Sequence, residues 1–432
     1  MQLVAYGAQD IYLTGQPQIT FFKAIYRRHT NFAVESIQQT INGKSMPGNR
    51  VSVTISRNGD LLKNLWIQYY PNSIFKDNSA VMIASDFTHS LIDQLEIEIG
   101  GQLIDKHYGK WLTVWRALTE VNPYGLQSPL SVDRGSDNVI SGETAVITTL
   151  YNKMSYNHLG ALLYPEDINL STGDHIQNTL LSAPNSAFIP MCFWFCRNPG
   201  LAIPLIALQY HEVKFNINFA NIDSFAYAGF TGATQRTPNV DFSSFKVYAD
   251  YVYLDTTERR QFAQNAHEYL IDQLQLQSGE NDSTIRLNFN HPVKELIFTG
   301  TPKNVATSAS VVVTGGATPS AIVDSLVTSD VNARLVLNGT DRFTDRHLTY
   351  FTRCQVWDHH TGYGSTVVRD SVGLYSFALR PEEHQPSGTC NFSRIDNAQL
   401  KFSANINSID IYAVNYNVLR IMSGMGGLAY SN

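Results

Sequence analysis

Charge is the scarcest ingredient of this chain. Only 16% of its 432 residues are Asp, Glu, Lys or Arg, against about 25% in ordinary globular domains. Intrinsic disorder needs the opposite balance, and the 43% apolar share excludes that class. Positive charge is scarcer still: 31 Lys and Arg stand against 37 Asp and Glu, with no basic run. The electrostatic footprint of direct DNA or RNA binding is therefore missing. Four cysteines, Cys192, Cys196, Cys354 and Cys390, are too few for a disulfide framework and predict a reducing compartment. Long apolar runs are absent too. The most apolar stretch, Phe188 to Leu208, is interrupted by Pro190, Arg197, Asn198, Pro199 and Pro204, short of the ~18 clean residues of a spanning helix. The opening MQLVAYGAQDIYLTG lacks the basic-then-apolar order of a secretory signal, so synthesis in the cytosol is expected.

Helical periodicity is also rare. One helix is expected from Asp255, with its carboxylate as cap, Glu258 closing a capping box, and Phe262, Ala266, Tyr269 and Leu270 along one face. A second is expected over Lys110 to Glu120, with Trp111, Val114, Trp115 and Leu118 on one side. Neither leads into a strand pattern that would build a parallel sheet.

What the chain has in abundance is apolar–polar alternation, the signature of strands with one buried face. It runs through Val51–Ser56, Leu95–Ile99, Val213–Phe219, Ile285–Asn290 and Leu400–Ser403, separated by Asn-Gly and Gly-Gly turn signals such as Gly100-Gly101 and Asn338-Gly339. Strands this dense and cleanly alternating predict antiparallel sandwiches. They also repeat. Residues 95–116 pair with 335–353 as strand, Gly turn, Asp-Lys/Arg-His and aromatics ending in Arg. Residues 11–39 pair with 252–275, and 195–215 pair with 377–402, in the same order. The expectation is two tandem copies of one all-β fold, an arm and first copy over 1–220 and a second copy over 221–432. The boundary is placed where Ala, Gly, Thr, Asn and Pro collect near 220–240. Two weakly periodic stretches rich in Ser, Thr, Asn, Gly and Ala, 121–187 and the nearly uncharged 300–332, read as long insertions that carry external contacts.

Catalytic and metal constellations find no support. Cys192 and Cys196 alternate onto one strand face without a second Cys/His pair. His211-Glu212 and His267-Glu268 lack the second His of a helical zinc motif, and are expected to be structural or interfacial. His359-His360 is expected on a solvated loop. Gly424, Gly426 and Gly427 are followed by no Lys-Ser/Thr and read as close packing at a chain terminus. No nucleophile elbow or carboxylate dyad appears, so neither an enzyme nor a cofactor is expected. Asn169, Asn281, Asn338 and Asn391 stand in N-x-S/T sequons.

Several segments together resemble the major capsid proteins of nucleocytoplasmic large DNA viruses, nearest to those of algal viruses. They are the opening 2–39, SRNGDL at 56–61, LEIEIGGQLIDKHY at 95–108, PGLAIPLIALQYHEVK at 199–214, HEYLIDQLQ at 267–275, IRLNFNHP at 285–292, QPSGTCNFSRIDNA at 385–398 and NYNVLRIMSGMGGLAY at 415–430. The resemblance implies two consecutive eight-stranded jelly rolls, a double jelly roll. It implies homotrimeric, pseudo-hexagonal capsomers that tile an icosahedral shell over an inner membrane, made and assembled in the host cytoplasm. Partners would be further copies, minor capsid and penton proteins, and the inner viral membrane, with no direct nucleic acid. The insertions would form outward towers. Asn281, Asn338 and Asn391 would be glycan candidates, and Arg27 and Arg28 of the arm would be contacts on the inner face. A double-jelly-roll lectin or glycan-acting protein is the alternative, since jelly rolls serve both classes.

Overall fold

The computed structural model describes residues 7–70, 81–83, 86–121, 150–155, 162–163, 186–224, 226–228, 230–231, 234–235, 240–300, 331–362, 364 and 370–430. Asn169 and most of both insertions lie outside them.

The first sandwich has two antiparallel sheets. One orders β1 (Phe32–Gln39), β9 (Lys246–Leu254), β3 (Leu61–Tyr69) and β7 (Ile203–Pro204), with β6 (Ala187–Pro190) also on β3. The other orders the short Ile41–Asn42 strand, β2 (Arg50–Thr54), β8 (Val213–Phe219), β4 (Ile92–Ile99) and β5 (Gln102–Tyr108). Alternation does what it predicts: Val51, Val53, Leu95, Ile97, Phe215 and Ile217 from one sheet meet Leu65, Ile67, Val247, Ala249 and Tyr251 from the other in a single buried core.

The second sandwich uses the same plan with fewer, longer strands. β10 (His267–Arg286) pairs with β14 (Ala398–Met422) along nearly its whole length, with a shift between Asp282 and Thr284. β14 then pairs on its other edge with β12 (Asn332–Leu337), β11 (Pro292–Gly300) and β15 (Met425–Leu428) in turn, and β13 (Val372–Ser376) completes the β11 side. Each long strand thus serves both layers, and Leu296, Phe298, Leu335, Leu400, Ile409 and Ile411 close a second core between them. The fold is a double jelly roll with few short helices. The repeated segments occupy equivalent places: β4 pairs with β8 as β12 pairs with β14.

The division at residue 220 needs correction. β9 is hydrogen-bonded between β1 and β3, from Phe32↔Leu254 to Lys246↔Gln68, and Ala226–Ala228 pairs with Val81–Ile83. The first roll therefore runs to Leu254. The Ala/Gly/Thr/Asn/Pro-rich stretch is a loop inside it, because a loop and a linker share the same composition.

Two local expectations also shift. The helix after Asp255, α2 (Thr256–Gln264), forms without a side-chain cap bond from Asp255. It stops before Tyr269 and Leu270, which join β10 opposite Leu419 and Val418. Sheet pairing overrides the helical spacing there. The Cys192–Cys196 stretch turns into a short helix at Trp194–Arg197 rather than staying a strand.

Candidate functional surfaces

One of the joints between the two rolls is a helix. α1 (Gly109–Thr119) follows β5, and its Trp111, Val114, Trp115 and Leu118, the face expected from spacing, pack on Leu274, Ile297, Leu374, Tyr412 and Val414 of the second roll. Trp111 meets Tyr412 at 5.1 Å between ring centroids. Burying side chains of this size contributes about 1.5–3 kcal/mol each.

A belt of buried charge runs through the same joint. Lys110 Nζ donates to Asp410 Oδ2 at 2.7 Å and to the Gly300 carbonyl at 3.1 Å. Arg197 and Lys294 both reach Asp272 Oδ2, at 3.1 and 2.9 Å, and Arg197 lies over the Trp115 ring. Burial works against the charge on Asp272, yet Lys294 and Arg197 outweigh it and hold its carboxyl below the usual range. His360 stands between Glu295 Oε2 and Glu382 Oε1, each at 2.9 Å. Burial opposes its charge, but the two carboxylates push its pKa up to about 9. His360 is therefore a buried imidazolium, not a residue of a solvated loop. Just beyond it, Gly362 and Gly364 donate backbone N–H bonds to Leu118 and Ala117 at the end of α1. Sequence reading missed this belt. Its one visible signal was Lys294-Glu295 inside the apolar strand PVKELIFTG.

The other singled-out residues are structural. Burial raises the Cys192 thiol to about 11 and pushes Cys196 up as well, which makes both inert. His211 bonds the Gly426 backbone, and a Cβ on Gly426 would sit 2.7 Å from Leu208 Cδ2, so the terminal glycines are close packing. His267 bonds the Phe262 carbonyl. Among the described residues no cluster of His, Cys, Asp and Glu could hold a metal ion.

The amino-terminal arm contrasts with all of this. Residues 11–31 are exposed throughout, including Ile11, Tyr12, Leu13, Phe21, Phe22, Ile25, Tyr26, Arg27 and Arg28. The arm leaves the body where Phe32 pairs with Leu254, at the Leu61 end of β3. The first insertion is rooted at the opposite end, where Ala187 pairs with Tyr69 and the Tyr69 and Thr88 hydroxyls meet the Ser155 carbonyl. In the second roll His267 pairs with Ile421 near the arm end, while Gly300, where the second insertion begins, pairs with Ile409. β5 keeps the rolls aligned: Gln102 bonds Leu428 at one end, and Lys110, just past the other, bonds Gly300. Asn281 is exposed beside the 279–282 corner on the Gly300 side. Asn391 pairs with Pro292 at the arm end, and Asn338 Oδ1 accepts from the nearby Asp396 and Asn397 N–H groups.

Two family models cover almost the whole chain: major capsid protein N-terminus over residues 20–255, and large eukaryotic DNA virus major capsid protein over 258–427. The first ends where β9 ends. Among relatives, the major capsid protein of Pyramimonas orientalis virus is 44% identical over 456 residues, covering 100% of this chain and 99% of its own. That of Paramecium bursaria Chlorella virus 1 is 39% identical over 487 residues with the same coverage. A quasi-atomic capsid model of the latter virus, at 35% identity, superposes with a TM-score of 0.67 over 96% of this chain and 100% of that one. The Faustovirus major capsid protein, at 12% identity, shares the fold with a TM-score of 0.64 over 96% of this chain and 94% of its own. Fold and sequence define a double-jelly-roll capsid protein. The chain belongs to the major capsid protein family of large eukaryotic DNA viruses, a building block of the virion shell that assembles with other capsid copies.

Proposed function

We propose that three copies form a pseudo-hexagonal capsomer, and that capsomers tile an icosahedral shell with the insertions outward and the arm inward. The observation that carries this reading is the polarity of both rolls: the arm leaves from one end and both insertions from the other. Internal duplication supports it, since two similar rolls per chain let a threefold ring present six similar sides. The role is structural, with no catalytic step. On the inner side the arm meets minor capsid and penton proteins or the inner membrane. Assembly takes place in the host cytoplasm. Of the three sequon candidates, Asn281 alone shares the insertion end, so it is the one glycan acceptor on the outside, while Asn338 and Asn391 face inward. Sedimentation of the purified protein tests the capsomer: a stable trimer at micromolar concentration is expected, and a monomer overturns it. Glycopeptide mass spectrometry of virions should find any sequon glycan at Asn281, and one at Asn391 instead would reverse the polarity.

A further inference from the structure

α1 is gripped on two sides. Trp111, Val114, Trp115 and Leu118 hold the second roll. Gly109, Thr113, Arg116 and Glu120 form a second stripe at three- and four-residue spacing, and this stripe meets the root of the first insertion. A Cβ on Gly109 would collide with the His89 carbonyl, so α1 starts directly against the helical turn Phe87–Ser90.

His89 is the centre of that contact. Its ring is fully buried, with Nδ1 2.6 Å from the Thr113 hydroxyl of α1 and Nε2 2.5 Å from the Tyr151 hydroxyl of the helix Leu150–Ser155. A neutral imidazole donates from one nitrogen and accepts at the other, and a hydroxyl answers either, so the uncharged ring is satisfied on both sides. Arg116 lies over the Tyr151 ring, 5.2 Å from its centroid, and pairs with Asp86 at 3.7 Å and Glu120 at 3.5 Å. Among the described residues, the charged and titratable groups around this centre are thus Asp86 beside its own turn, Arg116 and Glu120 on α1, Tyr151, and Cys192, whose thiol burial raises to about 11. The contrast with His360 is chemical: two carboxylates flank that ring, whereas two hydroxyls flank this one. Burial, together with the Arg116 cation, holds His89 well below its ordinary value.

We propose that His89 is an acid-sensitive latch: when its ring takes up a proton, the helix Leu150–Ser155 undocks from α1 and from the Phe87–Ser90 turn, while the two rolls and their joint stay closed. Undocking lets water reach the charged ring; the docked ring has Arg116 beside it instead. The helix is the element that gives way. Its six residues are too few to hold a helix alone, and Leu150 is 81% exposed. Its anchors include the Tyr151 hydroxyl on His89 and the Ser155 carbonyl, which accepts from Thr88 at 2.7 Å and from Tyr69 at 3.2 Å. α1, by contrast, is fixed by its other stripe, and Phe87 by the first core. Local openings of this kind require far less free energy than global unfolding. The inference is read from one chain and does not depend on the capsomer.

Hydrogen–deuterium exchange of the full-length protein tests it, read as protection factors so that the intrinsic pH dependence of exchange drops out. A free imidazole titrates near about 6.5, so the closed root is fully favoured above that pH and opens increasingly below it, by up to about fiftyfold between about pH 6.5 and about pH 4.5. Peptides over 150–155 are expected to lose protection on this scale while 92–99 and 109–119 keep theirs. His89→Gln is neutral with a donor and an acceptor of its own, and should keep 150–155 protected at the lower pH. If it fails to fold, Tyr151→Phe, which takes the hydroxyl from Nε2, is expected to open the root even at neutral pH with 92–99 still protected; a root as closed as the wild type's overturns the latch. So does wild-type protection of 150–155 that is equal at both pH values, or the same acid loss in His89→Gln. Simultaneous loss across 92–119 is global acid unfolding and overturns it as well.

Discussion

His360 shows how much a single side chain can contribute once two carboxylates enclose it. Its unfolded reference is about 6.5, and in the folded chain it is raised to about 9. The stability it contributes is therefore fully present below about pH 6.5 and is lost as pH rises through about 9. The expected size is ~3 kcal/mol. Urea unfolding of the wild type should weaken between about pH 6 and about pH 10, while His360→Gln is flat across that window. The variant should also be weaker at neutral pH by about 3–5 kcal/mol, because Glu295 is left buried without a cation. His89 acts in the opposite sense. Burial and Arg116 hold it well below its ordinary value, so its contribution is lost as pH falls below about 6.5. A stability maximum near neutrality follows from the pair.

At the scale of elements, α1 and the short helix Gln355–His359 meet at one buried joint, Val356 packing in the same cluster as Trp111 and Trp115, but expose different faces. Trp115 of α1 is buried against the second roll beneath the Arg197 guanidinium, 4.8 Å from its ring centroid. Trp115→Ala should cost about 3–5 kcal/mol and loosen the joint, so that calorimetry resolves two transitions where the wild type shows one. Trp357→Ala in the isolated chain should stay within about 0.5 kcal/mol, since Trp357 is 86% exposed. The same sequence pattern, aromatics after Asp-Lys/Arg-His, thus packs on the neighbouring roll in one copy and into its own roll's core, through Phe351, in the other. Periodicity identifies a face that wants cover. What covers it depends on the neighbouring element.

At the scale of the whole molecule, both rolls share one polarity, and that makes the arm's charge directional. Arg27 and Arg28 are exposed at the end remote from the insertions. Opposite an anionic surface each would contribute about 1 kcal/mol, and screening confines the attraction to about 8 Å. Replacing both by Gln should leave the proposed trimer and its Tm nearly unchanged while reducing shell yield in an assembly assay. Loss of trimers or early melting would make the arm a structural part of the capsomer instead.

The sequence by itself determined the sandwich class, the duplication and the buried stripe of α1. These rest on local periodicity and on turn residues, which a chain carries wherever it folds. The motifs of the opening, of 95–108, of 199–214 and of 415–430 carry the family likeness without reference to the fold. Only the tertiary structure decided that β9 closes the first roll, because strand membership depends on which distant edge accepts it, here those of β1 and β3. Only the structure turned Lys294, Glu295, Asp272 and His360 into a buried belt. Asp272, the adjacent Lys294-Glu295 pair and His360 are far apart in the chain, and a charge reads as solvated until the fold removes its water and supplies a partner.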